Sequence, residues 1–308
     1  MNKSPLYKPD KPRVLLGMSG GVDSSTAVHL LQEDGYDVKG LTLILTCALT
    51  ALFGDAIHPR DHAAQAKQVC DRFKIPHEIS DRCRLFENRV VNPFVREYFN
   101  GRTPNPCVEC NRFVKWDKLL KKADEEGIPY VATGHYARVR YNKSSKRYEL
   151  LKGKDPKKDQ SYYLWQLSQE QLARTRFPLG DFTKDQIKAI ATELGLESTN
   201  TGESQDICFI PGGDYREFLR EYVPDQYQSI GKGHFLTQDG EIVGDHPGYF
   251  HFTIGQRRGL RLALGYPVYV IEIRPRSNEV IVGPKEALIR TQTHVSRVNW
   301  VSIPAPEK

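Results

Sequence analysis

Arg13-Val-Leu-Leu-Gly-Met-Ser-Gly-Gly-Val-Asp-Ser-Ser25 carries an apolar run into two adjacent glycines and on into a helical segment, Ser24-Ser-Thr-Ala-Val-His-Leu-Leu-Gln-Glu33. Gly20 and Gly21 can take dihedral angles closed to other residues, so their backbone can approach a ligand closely. Ser19, Ser24 and Ser25 add hydroxyl donors. A helix beginning near Ser24 turns its partly positive end and its unpaired N–H groups toward whatever the loop holds. A pyrophosphate or a triphosphate tail fits such a loop. No lysine follows the glycines, so G-x-x-x-x-G-K-[ST] is not met, and G-x-G-x-x-G is also absent. Both absences argue against phosphoryl transfer and against the common dinucleotide fold. The plainer alternative is a tight strand-to-helix turn whose serines only cap the helix.

Outward from this loop, strand and helix signals alternate, as in an open, doubly wound parallel α/β sheet. Val14 to Gly17 reads as a first strand, Val38 to Leu45 as a second and His77 to Ser80 as a third. Helices are expected up to Gly35, over Asp61 to Phe73 and over Leu85 to Phe99, with a loop from Gly101 to Asn111 and a basic helix from Val114 to Glu126. Tyr130 to Tyr136 forms a further strand ending in a glycine and a histidine. Ligands of such sheets bind at the carboxyl ends of strands, the edge where Gly17 to Ser24, Leu43 and Gly134 fall. Arg138 to Leu151 alternates about a hairpin turn, Asp155 to Tyr163 is a polar loop, and Asp181 to Leu194 is an amphipathic helix. Short β-like runs split by glycines follow Tyr227, which sets the expected domains at 1–214, a smaller, mostly β unit at 215–288, and a last segment at 289–308.

At 308 residues, 39% hydrophobic and 27% charged, the composition fits neither a disordered nor a membrane class. The longest apolar stretch, Leu41 to Phe53, falls short of the ~20 residues a spanning helix needs and reads as a buried strand and the loop after it. No secretory pattern opens the chain, so the cytoplasm is the default location. Net charge is only +6, yet Arg102 to Lys158 holds 15 Lys and Arg against 7 Asp and Glu, leaving the rest close to neutral. A local basic stretch is either a solvated helix face and hairpin or the footprint of a polyanion such as RNA.

Six cysteines in such a chain do not suggest a disulfide framework. Cys47, Cys70 and Cys83, in apolar or helical contexts, read as buried and inert. Cys107 and Cys110, in Thr103-Pro-Asn-Pro-Cys-Val-Glu-Cys-Asn111, and Cys208, in Glu203-Ser-Gln-Asp-Ile-Cys-Phe209, lie in polar, turn-rich segments where packing alone would not select cysteine. The second C-x-x-C pair of a closed zinc site is missing. Pro104 and Pro106, just before Cys107, suggest an extended loop, not the helix N-terminus of a thioredoxin-type redox pair.

SGGVDSS resembles the pyrophosphate loop of the ATP pyrophosphatases, the PP-loop superfamily. Together with GRTPNPCVECN, ATGHYAR, KDQSYYL, ESQDICFI and TIGQRRGL, in that order, it resembles the bacterial and mitochondrial tRNA-specific 2-thiouridylases over nearly the whole chain. The resemblance implies a catalytic unit of adenine-nucleotide alpha-hydrolase type. It implies ATP held by Gly17, Met18, Ser19, Gly20, Gly21, Val22, Asp23, Ser24, Leu43 and Gly134, with Asp23 near the phosphates and their Mg2+. Asn105, Pro106 and Cys107 would face the target base, and Lys158, Asp159 and Gln160 would touch the tRNA. Cys110 would be the nucleophile and Cys208 the persulfide carrier. The implied reaction adenylates the C2 carbonyl oxygen of the wobble uridine and displaces AMP with sulfur, leaving a Cys110 to Cys208 disulfide to be reduced.

The expected partners are the anticodon arms of tRNAs for Lys, Glu and Gln and a sulfur-donor relay protein. Many relatives carry aspartate at the position of Cys107, and a second version of the chemistry has Cys107, Cys110 and Cys208 hold an iron-sulfur cluster with one open iron. The family continues past the segment His294 to Trp300 into a β-barrel domain, of which 289–308 would be the start, so a curtailed tRNA surface is expected. Two other readings remain: a PP-loop ligase or amidotransferase acting on a small carboxylate, and a non-catalytic tRNA- or nucleotide-binding paralogue.

Overall fold

The computed structural model describes residues 11–54, 59–196 and 207–307. Glu203 to Asp206, the start of the ESQDICFI motif, lie outside the described residues. Strands β1 (Arg13–Met18), β2 (Asp37–Ile44), β3 (His77–Asp81) and β4 (Tyr130–Thr133) are parallel. An antiparallel hairpin follows, β5 (Ala137–Asn142) and β6 (Arg147–Lys152), and then the two-residue β7 (Thr175–Arg176), which local sequence signals did not announce. The main sheet runs β3-β2-β1-β4-β7, with Leu15 opposite Lys39 on one side and Val131 on the other. Its central strand is buried on both faces, which is why it reads as a continuous apolar run. The two-residue alternation of a strand then divides it. Val14, Leu16 and Met18 pack with Val28, Leu31 and Ile187, and Leu15 packs with Leu41, Trp116 and Leu119.

Chain order reverses about β1, which lies between β2 and β4, and the carboxyl ends of β1 and β4 frame the crevice where such sheets bind ligands. The helix after β1, α1 (Val22–Glu33), begins two residues earlier than expected, with Gly21 as its N-cap. Gly134, just past β4, is packed so tightly that a Cβ there would lie 3.2 Å from backbone atoms of Asp23 and Ser24.

Three expectations are corrected. The loop following β2 contains a helix, α2 (Cys47–Phe53). Cys47 and Cys83 are not inert single thiols but form a disulfide that ties α2 to the end of β3; Cys47 is exposed. The expected loop 101–111 ends at Asn105, because Pro106 occupies the first turn of a helical run that continues through residue 125. Proline's fixed φ and missing N–H suit that position, so Pro106 starts a helix and does not prevent one.

The part after residue 214 opens with helices at Tyr215–Tyr222 and Pro224–Ile230 before its strands begin. β8 (Gly233–Leu236), β9 (Ile242–His246), β10 (Tyr269–Arg274) and β11 (Glu279–Gly283) form a second sheet in the order β10-β11-β8-β9. Its inner face shares an aromatic core with the helical run 83–99. Phe86, Phe94, Phe209 and Phe218 meet edge to face, and Phe235 and Phe250 belong to the same buried cluster. Among the described residues no helix is long and apolar enough to cross a membrane.

Candidate active site

The glycine loop is shaped by its own serines. Ser24 and Ser25 donate their hydroxyls to the Gly21 carbonyl at 3.1 and 2.9 Å, and the Ser19 amide donates to Ser24 Oγ at 3.2 Å. No side chain caps α1. Its first-turn N–H groups are therefore left for a ligand, the arrangement that binds anions, and the plain capping alternative is set aside. Gly20 adopts φ 81°, and a Cβ there would come within 2.6 Å of the His62 carbonyl oxygen.

A cavity of about 540 Å³ opens over this loop. Gly17, Met18, Ser19, Gly21, Asp23, Ser24, Leu43 and Gly134 line it; Gly20 and Val22 do not. Gly20 is buried against the backbone of the helix Pro59–Arg72, and Val22 packs into the core. The volume, the apolar Leu41, Leu43 and Leu119 wall and the open helix end suit an adenine nucleotide. Asp23, expected beside magnesium, is engaged by protein groups: Lys184 Nζ reaches both of its carboxylate oxygens and the Tyr136 hydroxyl donates to one of them at 2.8 Å. Neither Lys184 nor Tyr136 was singled out from the sequence, since each is more than a hundred residues from the loop.

A second cavity, about 480 Å³, adjoins the first. Pro106, Cys107, Cys110, Lys158, Asp159, Gln160 and Cys208 line it, and Asn105 does not. Asp159 accepts from the amides of Gly153 and Ser161 and from the Ser161 hydroxyl, and Gln160 exchanges hydrogen bonds with the backbone of Tyr136. These two side chains hold the loop in place. Asn111 Nδ2 donates to the Tyr163 carbonyl at 3.1 Å and ties the cysteine helix to the same loop.

Cys107 and Cys110 are three apart on one helix and so share a face. Cys208 reaches the cavity because its neighbour Phe209 is plugged into the aromatic core, 5.3 Å from Phe94 between ring centres. The Cys208 side is exposed to the cavity, whereas Cys110 is 6% exposed. Burial pushes all three thiols up, Cys110 to about 12, while the ammonium of Lys115 pulls each of them down. In the resting protein Cys110 is thus a thiol and not a thiolate. His135 lines both cavities, bonded to Thr133 Oγ1 at 2.8 Å, and burial keeps it well below the usual histidine range, hence neutral. Six residues line both cavities: Asp23, Leu45, Lys115, His135, Gln160 and Cys208. The nucleotide space and the cysteine space are therefore continuous, with Cys208 at their junction. Among the described residues only Cys47, Asp81 and Cys83 bring three donor atoms within 4.8 Å of one another, and two of these are the sulfurs joined in the disulfide.

Residues 12–212 match the tRNA methyl transferase HUP domain family and residues 216–284 the tRNA methyl transferase PRC-barrel domain family. The tRNA-specific 2-thiouridylase MnmA of Clostridium botulinum (strain Alaska E43 / Type E3) is 40% identical over 311 residues, covering 97% of this chain and 82% of that protein. The protein of the same name from Salinibacter ruber is 46% identical, with coverage of 96% and 78%, and that from Carboxydothermus hydrogenoformans 43%, with 94% and 80%. The structure of NMN synthetase from Francisella tularensis overlays with a TM-score of 0.40 at 13% identity, covering 68% of this chain and 72% of that chain, a likeness too loose to weigh. On the two matching domains and on identity sustained over nearly its whole length, the chain belongs to the family of tRNA-specific 2-thiouridylases.

Proposed function

We propose that this chain is a tRNA-uridine 2-sulfurtransferase that uses ATP to replace the C2 oxygen of a wobble uridine with sulfur. The observation that carries the reading is the position of Cys208, which lines the nucleotide cavity and the Cys107 and Cys110 cavity at once. A ligase acting on a small carboxylate would have no use for three thiols beside its nucleotide. A non-catalytic binder would have no use for a thiol at the junction.

ATP fits the uncapped end of α1, and Mg2+ would neutralise its phosphate charge there. The uridine O2 attacks the α-phosphorus and pyrophosphate leaves, which makes AMP the leaving group on C2. Cys110 attacks the inner sulfur of a Cys208 persulfide, forming the Cys110 to Cys208 disulfide and releasing hydrosulfide, which adds to C2 as AMP departs. Two electrons from a cellular reductant then restore the thiols. A relay protein would load Cys208, which is the exposed one of the three. The basic stretch of residues 102–158 would bind the anticodon arm, offsetting the cost of unstacking the target base. Lys, Glu and Gln tRNAs are the expected substrates, and the cytoplasm the expected place.

Cys107, Cys110 and Cys208 around one cavity also suit an iron-sulfur cluster, which would supply sulfide from an open iron. The deciding experiment incubates anaerobically purified protein with ATP, a sulfide source and unmodified tRNA, and measures both 2-thiouridine and bound iron. Thiolation lost in Cys208→Ala supports the reading. ATP turnover without thiolation would point to the ligase, neither to the binder, and stoichiometric iron in the active protein to the cluster.

A further inference from the structure

Lys115 stands five residues after Cys110 on the helical run 106–125. In an α-helix a spacing of five puts two side chains about 140° apart around the axis. Here, however, Asn111–Trp116 is wound as a π-helix, whose turns close from i to i+5. The wider turn rotates Lys115 toward the Cys110 face, and its side chain lines both cavities. Of the six residues shared by the two cavities it is the one cation, since His135 is neutral. Among the described residues no hydrogen bond or ion pair engages its ammonium, whereas Lys184, across the cavity, holds Asp23, and Lys39 and Lys122 are paired with Glu78 and Glu126. A half-buried cation without a counter-charge is costly until an anion arrives. Its field reaches Cys107, Cys110, Cys208 and His135, so it lies central to the site.

We propose that Lys115 is the anion-binding residue of the junction, holding the α-phosphate of the bound nucleotide on the side from which sulfur approaches. The proposal rests on the thiolation reading and adds a residue to it. The glycine loop and the N-terminus of α1 take the pyrophosphate end, so the α-phosphate points away from them toward the cysteine cavity. Uridine O2 must attack that phosphorus from the cysteine side. When the bond from C2 to the phosphate oxygen then breaks, AMP gains a negative charge, and Lys115 is the ammonium at that place. This lysine compensates for the one absent after the glycines.

The test compares Lys115→Met and Lys115→Arg with the wild type in calorimetric titrations with AMP and with adenosine, and in single-turnover 2-thiouridine formation. AMP binding weakens about tenfold in the Met variant, as expected for loss of one charge contact. Adenosine binding stays unchanged, which also shows that the pocket is folded. Arginine restores AMP affinity to within about threefold, since it retains the charge. Unchanged AMP affinity, or equal loss for AMP and adenosine, overturns the assignment. If the wild type binds neither AMP nor adenosine, the nucleotide reading falls and Lys115 with it. If it binds AMP through Lys115 but makes no 2-thiouridine, thiolation alone falls.

Discussion

The ammonium of Lys184 lies 2.8 and 2.9 Å from the two carboxylate oxygens of Asp23, joining the first turn of α1 to the first residue of the helix Lys184–Glu193. The pair is partly buried, with the lysine side chain 10% exposed and the aspartate 34%. Removing one partner leaves the other without its counter-charge in a half-dry site. Lys184→Met should cost about 2 kcal/mol of stability, below the full buried-pair value because Asp23 is partly solvated. Adding Asp23→Asn to it should cost little more. Urea unfolding of both single variants and the double variant measures the coupling, and additivity within about 0.5 kcal/mol would show that the pair contributes nothing.

The two glycines of the loop should behave differently. Gly20→Ala forces a Cβ to within 2.6 Å of the His62 carbonyl at a φ of 81°, so it should destabilise by about 2 kcal/mol or more and weaken ATP binding. Gly21→Ala meets nothing nearer than Ser19 Oγ at 3.8 Å and, as an N-cap change, should cost about 1 kcal/mol or less. Thermal melts with and without ATP check the order; equal losses at the two positions contradict it.

Thiol reactivity should follow burial. Near neutral pH, Cys208 should be alkylated at least about tenfold faster than Cys110, whose thiol is 6% exposed and pushed up to about 12. Cys70, fully buried and pushed up to about 11 by burial, should resist until the protein unfolds. Peptide mass spectrometry after timed iodoacetamide treatment reads each site, and a Cys110 that reacts first would mean that the resting cavity is arranged otherwise.

Buried histidines make the fold sensitive to acid. His77, His135, His246 and His251 are all held below the usual value of 6.5, chiefly by burial, His251 to about 4. Between about pH 6.5 and 4 the unfolded chain binds protons that the folded chain refuses, so stability falls as the pH drops through that window. His251, bonded to the Tyr227 hydroxyl at 3.0 Å, accounts for up to about 3 kcal/mol of the loss by its lower end. His251→Gln should flatten the curve of stability against pH, and a curve of unchanged slope would exclude His251 as a source.

Local features of the site were legible in the sequence because local rules govern them. The strand, glycine loop and helix of residues 13–33 follow from apolar runs and backbone freedom. The adjacency of Gly134 to the loop follows from the rule that ligands sit at strand ends, and Cys107 and Cys110 from their spacing. The helical start at Pro106 is not legible locally, since proline's fixed φ suits both an extended loop and a first helical turn, and only packing chooses between them. Nor does any local signal mark the π turn at Asn111–Trp116, which fixes the direction of Lys115.

From sequence alone, then, came the α/β architecture, the anion-binding loop and the set of unusual cysteines, all consequences of neighbours along the chain. Tertiary structure decided which distant side chains share a space. Phe209 anchored in the aromatic core brings Cys208 to a loop 184 residues before it, Lys184 is drawn to Asp23, and Cys47 meets Cys83 across 36 residues. These meetings depend on how two cores pack and on strand order about β1. Hydrophobic burial sets both over the whole chain, and no window of residues contains it.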